Sequence, residues 1–269
     1  MNFFGRFGNF FLAALLMVFV FSAVSCKSQA AVSGGKGAGS DASSPDDGTI
    51  VITGDPAGML LSLDFKDPGK PIPFTLNESS NIPGCLMEYQ NGKLHVSNQM
   101  TGETPWLQTN PILNQEIQDF FWQFEYTPNY NTWDSTWFSF RVAGKNMNQC
   151  YHLHFIGQNG LDVRDRANVA RNNDNAQVHL VTGNADREEL VASTRLNWYG
   201  PGRPVMIRII SEDDNCKIWL WRKGRGMPDN PTFQFLLEHP GLYKGDFMIV
   251  SWESDFLLDD MVIFNRAKP

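Results

Sequence analysis

From residue 49 onward the chain alternates apolar and polar residues in short runs, each closed by turn formers. The runs span 49–53, 59–65, 85–89, 93–97, 117–126, 134–142, 150–157, 161–166, 176–182, 204–211, 216–223, 232–238, 246–254 and 256–264. A period of two marks strands that bury one face, and no segment carries the 3.6-residue period of a long helix. Gln90-Asn91-Gly92 is a hairpin signal, because Asn-Gly accepts the positive φ angles of a tight primed turn. Pro128-Asn129, Gly144, Asn159-Gly160, Asn172-Asn173, Pro201-Gly202, Asp213-Asp214-Asn215 and Gly224 punctuate the later gaps. The pattern predicts an all-β fold, a two-sheet antiparallel β-sandwich of the jelly-roll kind, as one domain at 49–269.

Alternation also assigns faces. In 134–142, Phe138, Phe140 and Val142 share one side, while Trp137, Ser139 and Arg141 share the other. Tyr151, Leu153 and Phe155 oppose His152 and His154; Leu161 and Val163 oppose Asp162, Arg164 and Arg166; Val178 and Leu180 oppose Gln177 and His179. The apolar sides fill the core of a meander. The other sides together display Trp137, Arg141, His152, His154, Arg164, Gln177 and His179 as a candidate ligand surface. Rings stack on the apolar faces of sugars, and Arg, His and Gln make planar hydrogen bonds to hydroxyls or carboxylates. The alternative is a polar face whose side chains satisfy one another. The three histidines are also a weaker candidate for zinc. Trp219 and Trp221, on one face of a strand, are expected in core or inter-sheet packing rather than on a sugar platform. Trp198-Tyr199 precedes Gly200-Pro201 in a loop, where aromatics can rim a groove.

Before residue 49 the pattern changes. Arg6 precedes an almost wholly apolar run at 10–24, then Ser25 and Cys26. Its 15 residues fall short of the ~20 of a membrane-spanning helix, and the layout is that of an export signal. Ala23-Val24-Ser25-Cys26 resembles a bacterial lipobox, with Ala23 where leucine is usual. The resemblance implies cleavage after a signal peptide at 1–25, acylation of Cys26 (palmitate included) and attachment to a membrane through lipid only. Lys27 and Ser28 follow in place of a retaining acidic residue, which favours the outer membrane and leaves its face open. Residues 27–48, rich in Gly, Ser, Ala and Asp, read as a flexible tether.

Charge narrows the partners. The net charge is -7, and loss of Arg6 with the leader would make it -8, which argues against nucleic acid. Besides Cys26 there are Cys85, Cys150 and Cys216; three allow at most one internal disulfide, and each serves equally as a small buried hydrophobe.

Gly92-Lys93-Leu94-His95-Val96, the paired-strand block from Arg203 to Lys223, and the closing segments Gly245-Asp246-Phe247-Met248-Ile249 and Phe256-Leu257-Leu258-Asp259-Asp260-Met261-Val262-Ile263-Phe264 resemble concanavalin A-like jelly rolls. The likeness covers about 58–265 and is nearest to laminin G-like and 3-keto-disaccharide hydrolase-like domains. It implies glycan binding on a concave sheet. It also implies a structural calcium, for which Asp259 and Asp64 are the residues to test. Two departures stand out. The Glu-x-Asp-x-x-Glu strand of the glucanase members is missing, and Asp214-Asn215 is expected to make the turn where relatives have Asn-Gly.

Three functions follow. The first is a lipid-anchored, non-catalytic module that binds a poly- or oligosaccharide. The second is a glycoside-cleaving enzyme, with Glu125, Asp134, Asp162, His152 and His154 as candidate groups and no spacing that singles out an acid–base pair. The third is a structural or protein-interaction module of the cell envelope.

Overall fold

The computed structural model describes residues 58–77, 80, 84–98, 106–129, 135–144, 147–157, 174–183 and 188–266. The leader, Cys26, the tether, the expected strands at 49–53 and 161–166, and Arg164, Asp134 and Asp162 lie outside the described residues.

The strands are β1 (Met59–Leu63), β2 (Leu86–Gln90), β3 (Lys93–Ser97), β4 (Leu107–Gln108), β5 (Phe120–Pro128), β6 (Ser135–Val142) and β7 (Gln149–Ile156). They continue with β8 (Ala176–Thr182), β9 (Glu188–Thr194), β10 (Val205–Glu212), β11 (Asn215–Arg222), β12 (Phe233–Leu236), β13 (Asp246–Trp252) and β14 (Asp255–Asn265). One sheet has eight strands in the order β12-β11-β10-β5-β14-β3-β2, with β1 also pairing β14. The other has six, β4-β13-β6-β7-β8-β9. The two antiparallel sheets form a jelly-roll β-sandwich, as the alternation predicts.

β5 supplies Phe120, Trp122, Phe124 and Tyr126 to the space between the sheets, all fully buried. They meet Phe138, Phe140, Phe155 and Phe247 of the six-stranded sheet. Trp122 lies 4.9 Å from Phe247 and Phe124 4.5 Å from Phe138, centroid to centroid. Each such ring contributes about 2–3 kcal/mol through area removed from water.

Register fixes the ends of the sandwich. Pro128 pairs with Phe256 and Phe120 with Asn265; Tyr126 pairs with Val205, which pairs with Arg222. Ser135 pairs with Ile156 and Trp252, and Ala176 with Phe155 and Thr194. We call the end where β5, β7 and β11 finish the upper end. Met59 pairs with Phe264, so the chain enters the fold at the lower end.

The hairpin between β2 and β3 turns at Asn91 and Gly92, with φ of 53° and 76°, as its sequence requires. The β10–β11 hairpin turns one residue earlier than expected: Glu212 pairs with Asn215, leaving Asp213 and Asp214 in the loop, and Asp213 takes the positive φ of 52°. β9 and β4 had no sequence signal. β9 opens on two glutamates and carries no fully buried residue. As an edge strand it needs no apolar face. All three cysteines outside the leader are free thiols; Cys150 and Cys216 are buried and Cys85 is half-buried.

Candidate functional site

The outer face of the six-stranded sheet carries the expected row. Register lines up Val250, Trp137, His154, Gln177 and Ser193 across the strands, with Met248, Ser139, His152, His179 and Leu190 beneath. Trp137, His152, His154, Gln177 and His179 therefore do share one face. Their role as ligand groups is a separate question, because most are buried.

Arg141 leaves that row. Met248 pairs with Ser139 but Asp246 pairs with Val142, so β6 carries one extra residue. This β-bulge places Arg141 at φ 50° and reverses the alternation beyond it. Val142 now packs outward with Cys150, Val181 and Met248. Arg141 turns inward, fully buried, and donates to the carbonyls of Leu242, Gln118 and Asp213 and to Ser211 Oγ. Gly245 lies against the bulge; a Cβ there would sit 2.3 Å from the Arg141 carbonyl carbon.

The row extends into a column of rings. Trp137 lies between two neighbours: His154 stacks on it at 4.4 Å and 15°, and Trp106 at 5.0 Å and 35°. Trp106 also stacks on Trp252 at 6.1 Å and 19°. Packed against both rings, Trp137 is only 6% exposed, whereas Trp106 is 46% exposed. The accessible ring is thus Trp106, and Trp137 is its support. Alternation in 246–254 puts Trp252 with Met248 and Val250, so it was legible. Trp106 follows a polar stretch and leaves no periodic signal.

Below the rings the polar groups are few. Ser139 Oγ lies 2.8 Å from His152 Nδ1. Burial pushes the His152 imidazole down to about 3, with His179 adding to the effect. Burial also holds His154 well below its usual range, helped by His179 and His152. Both are uncharged at neutral pH. His179 Nε2 donates to Gln177 Oε1 at 2.8 Å, and Gln177 Nε2 to the Asp174 carbonyl at 3.1 Å. Both ring nitrogens of His154 and Nε1 of Trp137 are buried without a hydrogen-bond partner. A buried polar atom left unpaired costs about 1–3 kcal/mol, so these atoms are available to a ligand or a water.

The acidic residues gather elsewhere. On the outer face of the eight-stranded sheet, Glu125 pairs with Asp259 across the ladder. A second bulge, with Asp260 at φ 48°, brings Asp260 beside them. Among the described residues these three form the group whose geometry could hold a metal ion; the histidine trio does not join it. Lys93 bonds Glu125 Oε1 and Lys223 bonds Oε2. Burial alone would raise the Glu125 carboxyl, and the two lysines outweigh it to hold it ionised. A carboxylate with both oxygens on ammonium groups fits a metal poorly. Asp64, the other expected calcium ligand, is exposed and accepts from the Lys66 amide at 3.4 Å. It does not belong to the Asp259 group.

Trp219 and Trp221 are buried, though not between the sheets. They form a separate outer cluster with Met206, flanked by Ile210 and Met227. Trp198 packs against the main core. Tyr199 stacks on Phe155 at 5.5 Å, and its hydroxyl lies 3.3 Å from that of Tyr126. Both close the upper end of the core rather than rim a groove.

No family model matches the chain, and no curated protein matches it. Solved structures share its fold. A Bacillus subtilis protein of unknown function with a galectin-like fold superposes with a TM-score of 0.54 at 11% identity, covering 77% of this chain and 96% of its own. The CBM2 module of an evolved Dit protein from Lactobacillus casei BL23 phage J-1 gives 0.50 at 13% identity, with the same shares of 77% and 96%. At such identities the likeness establishes the fold alone.

Proposed function

We propose that the domain is a non-catalytic saccharide-binding module, displayed outside the cytoplasm by an acylated Cys26. The observation that carries this reading is the ring column. Trp106 is half-exposed and packs against Trp137 and Trp252, and His154, stacked on Trp137, has two buried nitrogens without a hydrogen-bond partner. A sugar ring stacks by its C–H face on Trp106 and meets hydrogen-bonding groups at its hydroxyl edge. That a CBM2 module shares the fold is consistent with this at the level of analogy. Two points speak against a glycosidase. Among the described residues the converging carboxylates lie on the other sheet, and Glu125 is locked by two lysines. Retaining chemistry needs two carboxyl groups about 5–5.5 Å apart across one sugar site.

The test is a glycan array with the full chain and its Trp106→Ala variant. The expected result is selective binding by the parent and its loss in the variant. Equal binding by both, or no glycan bound by either, overturns the reading.

A further inference from the structure

Among the described residues the sandwich is polarised in charge from end to end. Arg203 sits in the turn entering β10, Arg222 ends β11 opposite Val205, and the Arg225 amide donates to the Arg222 carbonyl. Arg195 follows Thr194, which pairs with Ala176. All four belong to the upper end, all are exposed, and none forms an ion pair with a described carboxylate. The carboxylates of the same end are already engaged or few. Among the described residues, Asp255 contacts His95 and Asn129, the exposed Glu88 lies 3.9 Å from His95, Asp174 accepts from Ser193, and Glu253 and the exposed Asp229 lie at the same end. The lower end is the reverse. Asp119, Glu212, Asp213, Asp214 and Glu238 cluster there, and Arg266 and Lys244 pair with Glu212 and Glu116.

In a chain of net charge -7, four exposed guanidinium groups at one end without an ion pair among the described residues, of which Arg203 donates to the Trp198 carbonyl at 3.3 Å, are not an average surface. The chain enters the fold at the acidic end. The ring column reaches the basic end, because Trp252 and Ser135 are the terminal pair there and Trp106 stacks on Trp252.

We propose that the upper end binds an acidic polysaccharide. Arg195, Arg203, Arg222 and Arg225 take its carboxylate or sulfate groups, while a sugar ring of the same polymer stacks on Trp106. Guanidinium forks match the planar geometry of such anions. This rests on the saccharide reading and adds the charge class of the ligand. His152 and His154 of the ring face are held neutral by burial, so the upper-end arginines supply the charge selection.

The experiment is affinity electrophoresis of the full chain against polygalacturonate and dextran sulfate, with methyl-esterified polygalacturonate and dextran as uncharged counterparts. Trp106→Ala and the combined Arg203→Gln, Arg222→Gln, Arg225→Gln variant run alongside, and circular dichroism confirms their fold. The proposal expects preference for an acidic polymer. It expects about tenfold weaker binding and a shallower salt dependence in the arginine variant, since exposed charge contacts are individually modest and screened. Equal binding of charged and uncharged polymers, or an unchanged arginine variant, overturns the acidic class while Trp106-dependent retardation keeps the saccharide reading. No polymer retarding the parent overturns both. Binding to phosphatidylglycerol vesicles in place of any polymer overturns it in favour of membrane docking.

Discussion

The outer faces of the two sheets are built from similar residues and arrive at opposite conditions. Each carries tryptophans and titratable groups in adjacent ladder rows. On the eight-stranded sheet the rings and charges are packed or paired within the fold, although Nε1 of Trp219 and Trp221 and Nε2 of Gln123 are buried without a hydrogen-bond partner. Trp219 and Trp221 are covered by Met206 and Met227, Arg208 donates to Gln123 and lies over the Phe121 ring, and Glu125 holds two lysines. On the six-stranded sheet the ring column includes a half-exposed Trp106 that packs against Trp137 and Trp252. Residue types alone do not mark a site. What marks it is an exposed aromatic surface, since buried polar atoms without partners occur on both faces.

The sharpest break of this comparison comes from the residue that moved between environments. Arg141→Ala leaves three backbone carbonyls and Ser211 without their buried donor. It is expected to cost about 3–5 kcal/mol in urea denaturation, without changing glycan affinity per folded molecule. A loss of affinity at unchanged stability would return Arg141 to the ligand face.

The ring column predicts a split between neighbours. Trp137→Ala empties a covered position and is expected to cost about 2–4 kcal/mol. Trp106→Ala removes an exposed ring and is expected to cost less than about 1 kcal/mol. On the other sheet, Glu125→Gln leaves Lys93 and Lys223 facing a neutral amide. Its expected cost is about 1–3 kcal/mol, with glycan binding unaffected.

Effects of moderate size are expected in pH dependence, and the two faces pull in opposite directions. Burial and the Asp260 carboxylate raise Asp259 to about 6, so the native state keeps a proton that the unfolded state releases near pH 4. Stability from this group is therefore present below about pH 4 and lost as pH rises to about 6. Asp259→Asn should be more stable than the parent at pH 8, by about 1–2 kcal/mol, and no more stable at pH 4. His152 behaves in reverse. It stays neutral down to about 3, so stability falls as pH drops below its unfolded value of 6.5. Denaturation midpoints from pH 4 to 8 read both signs.

Much of the fold was legible, because alternation is a direct consequence of a strand burying one side. Phe138, Phe140, Tyr151, Leu153, Phe155 and Val178 all point where their period places them. The failures have physical causes. A bulge at Arg141 shifts the period by one, and no local composition announces it; the glycine that permits it, Gly245, lies on the neighbouring segment. β9 was silent because an edge strand need not alternate. Trp106 was missed because its role comes from stacking on Trp137 and Trp252, which are distant in sequence. The salt-bridged trio was half visible: the Asp259-Asp260 pair suggested calcium, but Lys93 and Lys223 reach Glu125 only through the sheet.

The most direct measurement is the dissociation constant of a bound glycan for the parent, Trp106→Ala and Trp137→Ala, with the stability of each determined in the same buffer. An exposed stacking platform predicts that Trp106→Ala weakens binding about tenfold or more while melting close to the parent. Unchanged affinity in Trp106→Ala, with every loss following stability instead, would contradict a saccharide site on this face.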